Sequence, residues 1–389
     1  MYDWKGIRAV ARRELRIIRN RPLYLVGSIG VIAFCAIFFL TFLNDGLPHD
    51  IPIGIVDEDC STTSRNFSQQ LDATQLGKVV CYDSFSAARE DMTSGKISAV
   101  CVIPAGMNED IQSFRQPKIT FYVNGLYFVS GALAWKDLLT MVYMSNGAVQ
   151  REVFRAKGYN DRQIMGMIRP IDIDTHQIGN VTTNYNYYLT GILLPAILEM
   201  IVIIVLIYSL GTELKYGTSR HLMNTAGNSI ATVLTGKLLV WTIVFSAIGF
   251  ILLLILYHQM HFPMAGSIFN MFIAMFLMVL ASEAIAIFIL EMLPVPRLAL
   301  SVGALYSVLG FSLSGFTLPL EAMPPYIQGL AAAFPIRYYY LFHVQEAIFG
   351  TGFAGWWKYV IFLLLFLFVP LLGMRRLKDA YINQNYPKD

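Results

Sequence analysis

Charge is what this sequence has least of. Only 14% of its 389 residues are Asp, Glu, Lys or Arg, where water-soluble domains carry roughly 25%, and that shortage excludes an ordinary soluble globule. Cysteine is also sparse. Cys35 lies in an apolar run, and Cys60, Cys81 and Cys101 lie in a more polar stretch. Their spacings fit no zinc pattern, and a disulfide among the last three requires that stretch to lie outside the cytoplasm. The six histidines are scattered, and His258 and His261 share a turn too short to hold a metal ion by themselves. No metal site, Ser-His-Asp set or other catalytic group is therefore expected. The pattern G-x-x-x-x-G-K-[ST] is absent, so the chain has no phosphate-cradling loop of that kind. Gly236-Lys237 instead opens an apolar run, where a lysine is expected to snorkel to the headgroups. Basic residues flank apolar runs rather than forming a solvated stripe, which excludes nucleic acid as a partner.

What the chain does have is apolar length. Of its residues 56% are hydrophobic, and several runs reach the ~20 residues needed to cross a hydrocarbon core. Six spans are expected, at 22–43, 186–210, 230–257, 267–292, 298–313 and 356–373. The first could pass for a secretory signal, but Phe42-Leu43-Asn44-Asp45 offers no small-residue cleavage site, so it reads as an anchor. Before it, residues 3–21 form a basic amphipathic helix. Trp4, Ile7, Ala11, Leu15 and Ile18 fall on one face at about 100° per residue, with Lys5, Arg8, Arg12, Arg16 and Arg19 beside it. Such a helix suits an anionic bilayer surface. Lys and Arg concentrate at the N-terminus, in the 211–229 loop, at Arg297 and at Arg375, Arg376 and Lys378, which predicts that both termini are cytoplasmic. The fold class read here is a polytopic α-helical membrane protein, with domains at 1–21, 22–43, 44–185 and 186–375 and a cytoplasmic tail at 376–389.

Residues 44–185 read as a folded α/β domain on the outer side. Strand composition marks 51–56, 78–81, 97–103 and 118–123, and helices are expected at 61–76, 84–94, 130–157 and 161–168. Leu138, Val142, Val149 and Val153 form a stripe on the long one. The acids of Asp57-Glu58-Asp59 could suggest a metal site. Followed by Ser61 and Ser64, they are better explained as the capping chemistry of a strand-to-helix turn.

Three features inside the apolar half are polar or broken. In the island 211–239, Gly217 can end one helix in a left-handed C-cap, and Thr218 or Ser219 can N-cap a short helix on the membrane surface. Glu199 and Glu283 lie at membrane depth with no Lys or Arg at a matching level. A lone charge there costs at least ~2.5 kcal/mol, so each is a neutral carboxyl bonded between helices or a contact for a polar part of a substrate. The fifth span ends in Ser312-Leu313-Ser314-Gly315-Phe316-Thr317-Leu318-Pro319 while still apolar, with Met323-Pro324-Pro325 and Pro335 beyond. Backbone broken at that depth needs protein around it, so residues 314–337 read as a pair of short re-entrant helices.

These motifs resemble those of the permease subunits of type-2 ABC exporters, in the drug-exporter-like branch with a large periplasmic domain. Glu213, Gly217, Thr218, Leu222, Met223, Gly236 and Lys237 match the family's coupling loop, with Lys215 in place of a second acid and Ala226 in place of a proline. Val56-Asp57, Asp59, Ser61 and Ser64-Arg65 resemble the opening of its periplasmic domain. Ser314, Gly315, Pro319, Met323, Pro324, Pro335 and Tyr338 resemble its re-entrant element, the most specific match. The resemblance implies an exporter of amphiphiles in a bacterial inner membrane. It implies a separate ABC ATPase carrying the ATP and Mg, a second permease copy or close paralogue, and a periplasmic membrane-fusion adaptor. It makes Glu213, Gly217, Thr218, Leu222 and Met223 the coupling residues and Ser314, Gly315, Pro319, Met323 and Pro324 the gate. Glu199 and Ile203 on the second span, with Tyr306, Leu309 and Leu313 on the fifth, would line the pathway beneath a Phe316 plug. An ion-coupled secondary transporter and a membrane-anchored receptor are the competing readings; only one broken element is visible, where the first would use a pair.

Overall fold

The computed structural model describes residues 4–46, 49–74, 77–113, 115–126, 128–169, 176, 179–181 and 184–384. Two compact units divide the chain, one of Met1–Asn44 with Gln177–Asp389 and one of Asp45–His176. The chain begins with helix α1 (Trp4–Asn20) and a first long apolar helix, α2 (Pro22–Phe42).

The second unit follows. Its order is β1 (Ile51–Asp57), α3 (Thr62–Asp72), β2 (Gly77–Tyr82), α4 (Phe85–Thr93), β3 (Ala99–Ile103), α5 (Met107–Gln112), β4 (Thr120–Val123), α6 (Phe128–Ala156) and α7 (Asp161–Ile168). The sheet runs β2-β1-β3-β4, parallel except for β4. Parallel strands are covered on both faces, and the alternation along them shows it. Ile53, Ile55, Ala99, Cys101 and Ile103 pack with Phe67, Leu71 and Leu138 from α3 and α6. Val56 and Val100 point the other way, with Ala88 of α4. The acid-rich turn caps α3: Asp57 Oδ1 accepts from the Asp59 and Cys60 amides at 3.1 and 3.0 Å, and Ser61 Oγ accepts from the Ser64 amide at 3.1 Å. All four cysteines are free. Ile55 is register partner to both Cys81 and Cys101, so those two lie about two strand spacings, ~9.6 Å, apart, too far for a bridge. Burial among apolar side chains pushes the Cys101 thiol up to about 12.

The apolar unit resumes with α8 (Tyr185–Lys215), which runs unbroken through Pro195. Then come α9 (Ser219–Thr225), α10 (Ile230–Gln259), α11 (Ile268–Met292), α12 (Pro296–Ser312), α13 (Pro325–Ala331), α14 (Pro335–His343), α15 (Phe353–Leu372) and α16 (Met374–Asn383). Among the described residues five helices, α2, α8, α10, α11 and α15, are long and apolar enough to cross a membrane. The segment expected as a fifth span is α12, 17 residues long. Burial sorts the five: 78% of the apolar stretch of α8 and of α11 is enclosed, against 22% for α2 and for α15. A helix apolar all round belongs either in a core or against lipid. Here α8 and α11 are the core, with α12 laid along α8, and α2 and α15 turn most of their surface outward.

Candidate functional site

The polar island folds as a corner. Gly217, at φ +68°, ends α8, and its amide and that of Thr218 return to Leu214 O and Glu213 O at 3.3 and 3.0 Å. The short helix α9 follows, then a second left-handed turn at Gly227 and Asn228. Ser229 caps α10 by accepting from the Thr232 amide. Thr218 does not cap α9 with its side chain. Its hydroxyl donates to Glu213 Oε2, and its backbone is already helical, at φ −88° and ψ −4°, where a capping residue is extended.

That carboxylate belongs to a four-charge cluster in which Glu14, Glu213 and Lys237 are buried and Arg13 is half-buried. Arg13 of α1 donates to Glu213 through both terminal nitrogens, at 2.6 and 2.9 Å. Lys237 of α10 pairs with Glu14 at 2.8 Å and with Glu213 at 3.1 Å. It also donates to the Ser209 carbonyl and hydroxyl, both at 3.1 Å. Glu14 Oε1 accepts from Ser209 Oγ at 2.5 Å and from Trp241 Nε1 at 3.0 Å. Two acids and two bases balance, and the planar Arg13 fork meets its carboxylate bidentately. Burial works against the Arg13 charge, but the Glu213 carboxylate outweighs it and holds the guanidinium above its ordinary value.

The cluster corrects two expectations. Lys237 does not snorkel: its side chain is 1% exposed, because α1 closes over the site and supplies Glu14. The face of α1 also differs from the expected one. Gly6, Ile7, Val10, Glu14 and Ile18 are buried, whereas Trp4 and Leu15 are 68% and 54% exposed. Helix α1 therefore lays one face on α10 and keeps an outward ridge of Trp4 and Leu15 beside its cations. Arg13 and Glu14 drew no notice in the sequence. The available signal was that Glu14 is the lone acid of a helix otherwise rich in Lys and Arg.

Around the corner, α9 buries Ser219, Leu222 and Met223 and exposes Arg220, His221 and Asn224. Leu222 and Met223 thus seat the helix, Glu213 supports it from below, and the outward side chains are the ones a partner can touch. Helix α16 and the residue after it brace the corner: Gln384 Nε2 donates to Gly217 O at 2.5 Å, Arg220 Nε donates to Ile382 O at 2.8 Å, and Tyr381 OH donates to Leu210 O of α8 at 2.8 Å.

The profile of the ABC-2 family transporter proteins matches residues 23–374. The chain belongs to that family. Its members are the membrane component of a transporter and work with an ABC ATPase subunit. No individual curated protein matches the chain.

The other expected site residues of this permease fall into three groups. Glu199 and Ile203 are enclosed within the chain, 1% and 0% exposed, with Ile203 against Gly303 of α12. They do not share a free face with Leu309, which is 41% exposed. Glu199 has no side-chain hydrogen-bond partner among the described residues, and the backbone of Ile336 is the donor beside it, whereas Glu283 accepts from Thr242 Oγ1 at 2.6 Å and so ties α11 to α10. At the broken segment, Gly315 takes φ +97°, and Ser314 Oγ donates to Phe311 O at 2.8 Å. Arg337 donates to Ser314 O, Tyr338 to Ala332 O and Tyr306 to Ala333 O. Side chains thereby satisfy the carbonyls that the break frees. Met323 is buried, and Pro319 and Pro324 are exposed. Leu313 is half-buried, and Phe316 is buried against Tyr188, Phe311 and Tyr340.

Proposed function

We propose that this permease is the membrane subunit of an ATP-driven exporter that moves an amphiphilic molecule outward across a bacterial inner membrane. Power comes from a separate ATPase docking under α9. The observation that carries the reading is the build of that corner: a short helix locked from below by Glu213, Arg13 and Lys237, with Arg220, His221 and Asn224 left outward. A lever of this kind passes force to α8 and α10 together, since its charge cluster grips both.

The rest of the reading follows from the same arrangement. The basic flanks Arg375, Arg376 and Lys378 support a cytoplasmic C-terminus, and α1 supports a cytoplasmic N-terminus. Helix α12 serves as a sixth span, residues 314–337 as a re-entrant closure, and the sheet-containing unit as an extracytoplasmic domain. Two copies form the transporter. A periplasmic adaptor docks on α6, whose 29 residues reach about 43 Å at ~1.5 Å each and whose Trp135, Tyr143 and Met144 are exposed.

The test pairs the full chain with its ATPase in nanodiscs. The double variant His221→Ala/Asn224→Ala removes outward side chains only, so its thermal unfolding should match the parent. Its permease-stimulated ATP hydrolysis should fall by roughly tenfold, the effect of losing an interface anchor. Unchanged stimulation in a normally folded variant would overturn the docking assignment.

A further inference from the structure

Near the N-terminal end of α8 lies a cavity of about 380 Å³ that the coupling mechanism does not use. Six aromatic rings line it: Tyr187, Tyr188, Tyr257, Phe262, Phe316 and Tyr340. They form two strings of ring contacts, each beginning on α8. In one, Tyr188 stacks on Phe316 at 4.5 Å between centroids, and Phe316 meets Tyr340 edge-on at 6.0 Å. In the other, Tyr187 meets Phe262 at 4.7 Å, and Phe262 meets Tyr257 at 6.5 Å. None of the described lining residues carries a formal charge. His343 also lines the cavity; it is 8% exposed, and its Nδ1 has no hydrogen-bond partner among the described residues.

These features restrict the occupant. Ring faces carry negative potential, so an anion is repelled and a cation attracted. A bare metal ion finds no carboxylate among the described lining residues to offset the loss of its water. A plain hydrocarbon satisfies the rings but leaves the His343 nitrogen buried and unpaired, which costs free energy. A protonated amine with apolar substituents answers both demands. Its N–H donates to His343 Nδ1, and its polarised methyl and methylene groups lie against the rings. The size agrees, since ligand pockets begin at about 300 Å³.

We propose that this cavity is a binding site for a protonated organic amine, held by cation–π contacts from Tyr188, Phe316 and Tyr340 and oriented by a hydrogen bond to His343. The placement differs from the acid expected to meet a cation, because Glu199 does not line the cavity. The site rests on the geometry of one chain and stands whether or not the exporter reading holds.

Binding is measured on the full chain in nanodiscs, with empty nanodiscs subtracted, using three probes of nearly one shape. Benzyldimethylamine is protonated at neutral pH and keeps an N–H. Benzyltrimethylammonium keeps the charge without the N–H. Isobutylbenzene is the neutral carbon analogue. The expected order is amine, then quaternary ion, then hydrocarbon. The double variant Phe316→Leu/Tyr340→Leu should weaken the amine by roughly tenfold or more, since two cation–π contacts are lost together. His343→Leu should erase the preference of amine over quaternary ion while leaving the quaternary ion bound. Thermal unfolding of each variant confirms that it is folded. Hydrocarbon binding as tightly as the amine would overturn the proposal, as would failure of all three probes to bind the parent chain. Binding of the amine that the ring variants leave unchanged would do the same.

Discussion

At the scale of single residues, the corner is held by the pairing of one buried cation. Lys237 is enclosed and touches two carboxylates and two oxygens of Ser209. Taking such a cation away is worse than never having had the group, because the carboxylates it neutralised remain buried. Lys237→Met should therefore destabilise the chain by about 3–5 kcal/mol. Adding Glu14→Gln removes the excess negative charge, and the double variant should recover most of that loss although it has one group fewer. Thermal unfolding of both variants in nanodiscs reads the difference. A double variant no more stable than the single one would mean that shape, not charge balance, holds the corner. Glu283 sits on simpler terms, with one hydroxyl donor from Thr242 tying two helices.

At the scale of elements, the decisive contact is α1 on α10. It depends on Gly236, where an added Cβ would lie 2.7 Å from Val10 Cβ and 3.0 Å from the Ile7 carbonyl. A branched side chain there must push the backbone of α1 away. Gly236→Val should cost about 1–3 kcal/mol by overpacking, and it should free α1 so that trypsin cuts at its arginines about tenfold faster. Gly329→Ala, at a site with nothing within 4 Å, serves as the control and should leave the cutting rate unchanged. Equal rates for both variants would show that α1 is held elsewhere. This contact also marks where sequence reading stops. Apolar runs, the capped Asp57–Ser64 turn and the left-handed Gly217 were legible, because each is decided by residues within a turn or two. The buried face of α1 was not, since Trp4 and Leu15 read locally as the apolar side until α10 is placed against Ile7 and Val10. Lys237 failed for the same reason, as its partner Glu14 is more than two hundred residues away in the chain. The aromatic cavity draws its rings from four separate stretches, and no local pattern announces it.

At the scale of the whole molecule, the question is which outward apolar surface meets lipid and which would meet the second copy proposed above. Helices α2 and α15 are both mostly uncovered, as lipid-facing helices should be. Helix α12 differs: one side is fastened to α8, with Gly303 against Ile203 and Ile207. The other presents Leu298, Val302, Leu305, Val308 and Leu309 outward. Those positions recur every three or four residues, a single seam down a helix that is itself anchored to the core. A pair of permeases related by a two-fold axis must bring one surface against its own copy, so a residue near the axis touches itself. Leu305, midway along the seam, is the position expected there. With Cys35, Cys60, Cys81 and Cys101 replaced, Leu305→Cys should form a disulfide-linked dimer on mild oxidation in the membrane, since the two Cα atoms would approach within about 7 Å. Ile361→Cys on α15, equally apolar and similarly exposed, should stay monomeric. If Ile361→Cys cross-links and Leu305→Cys does not, the seam on α12 faces lipid and the partner copy packs on α15.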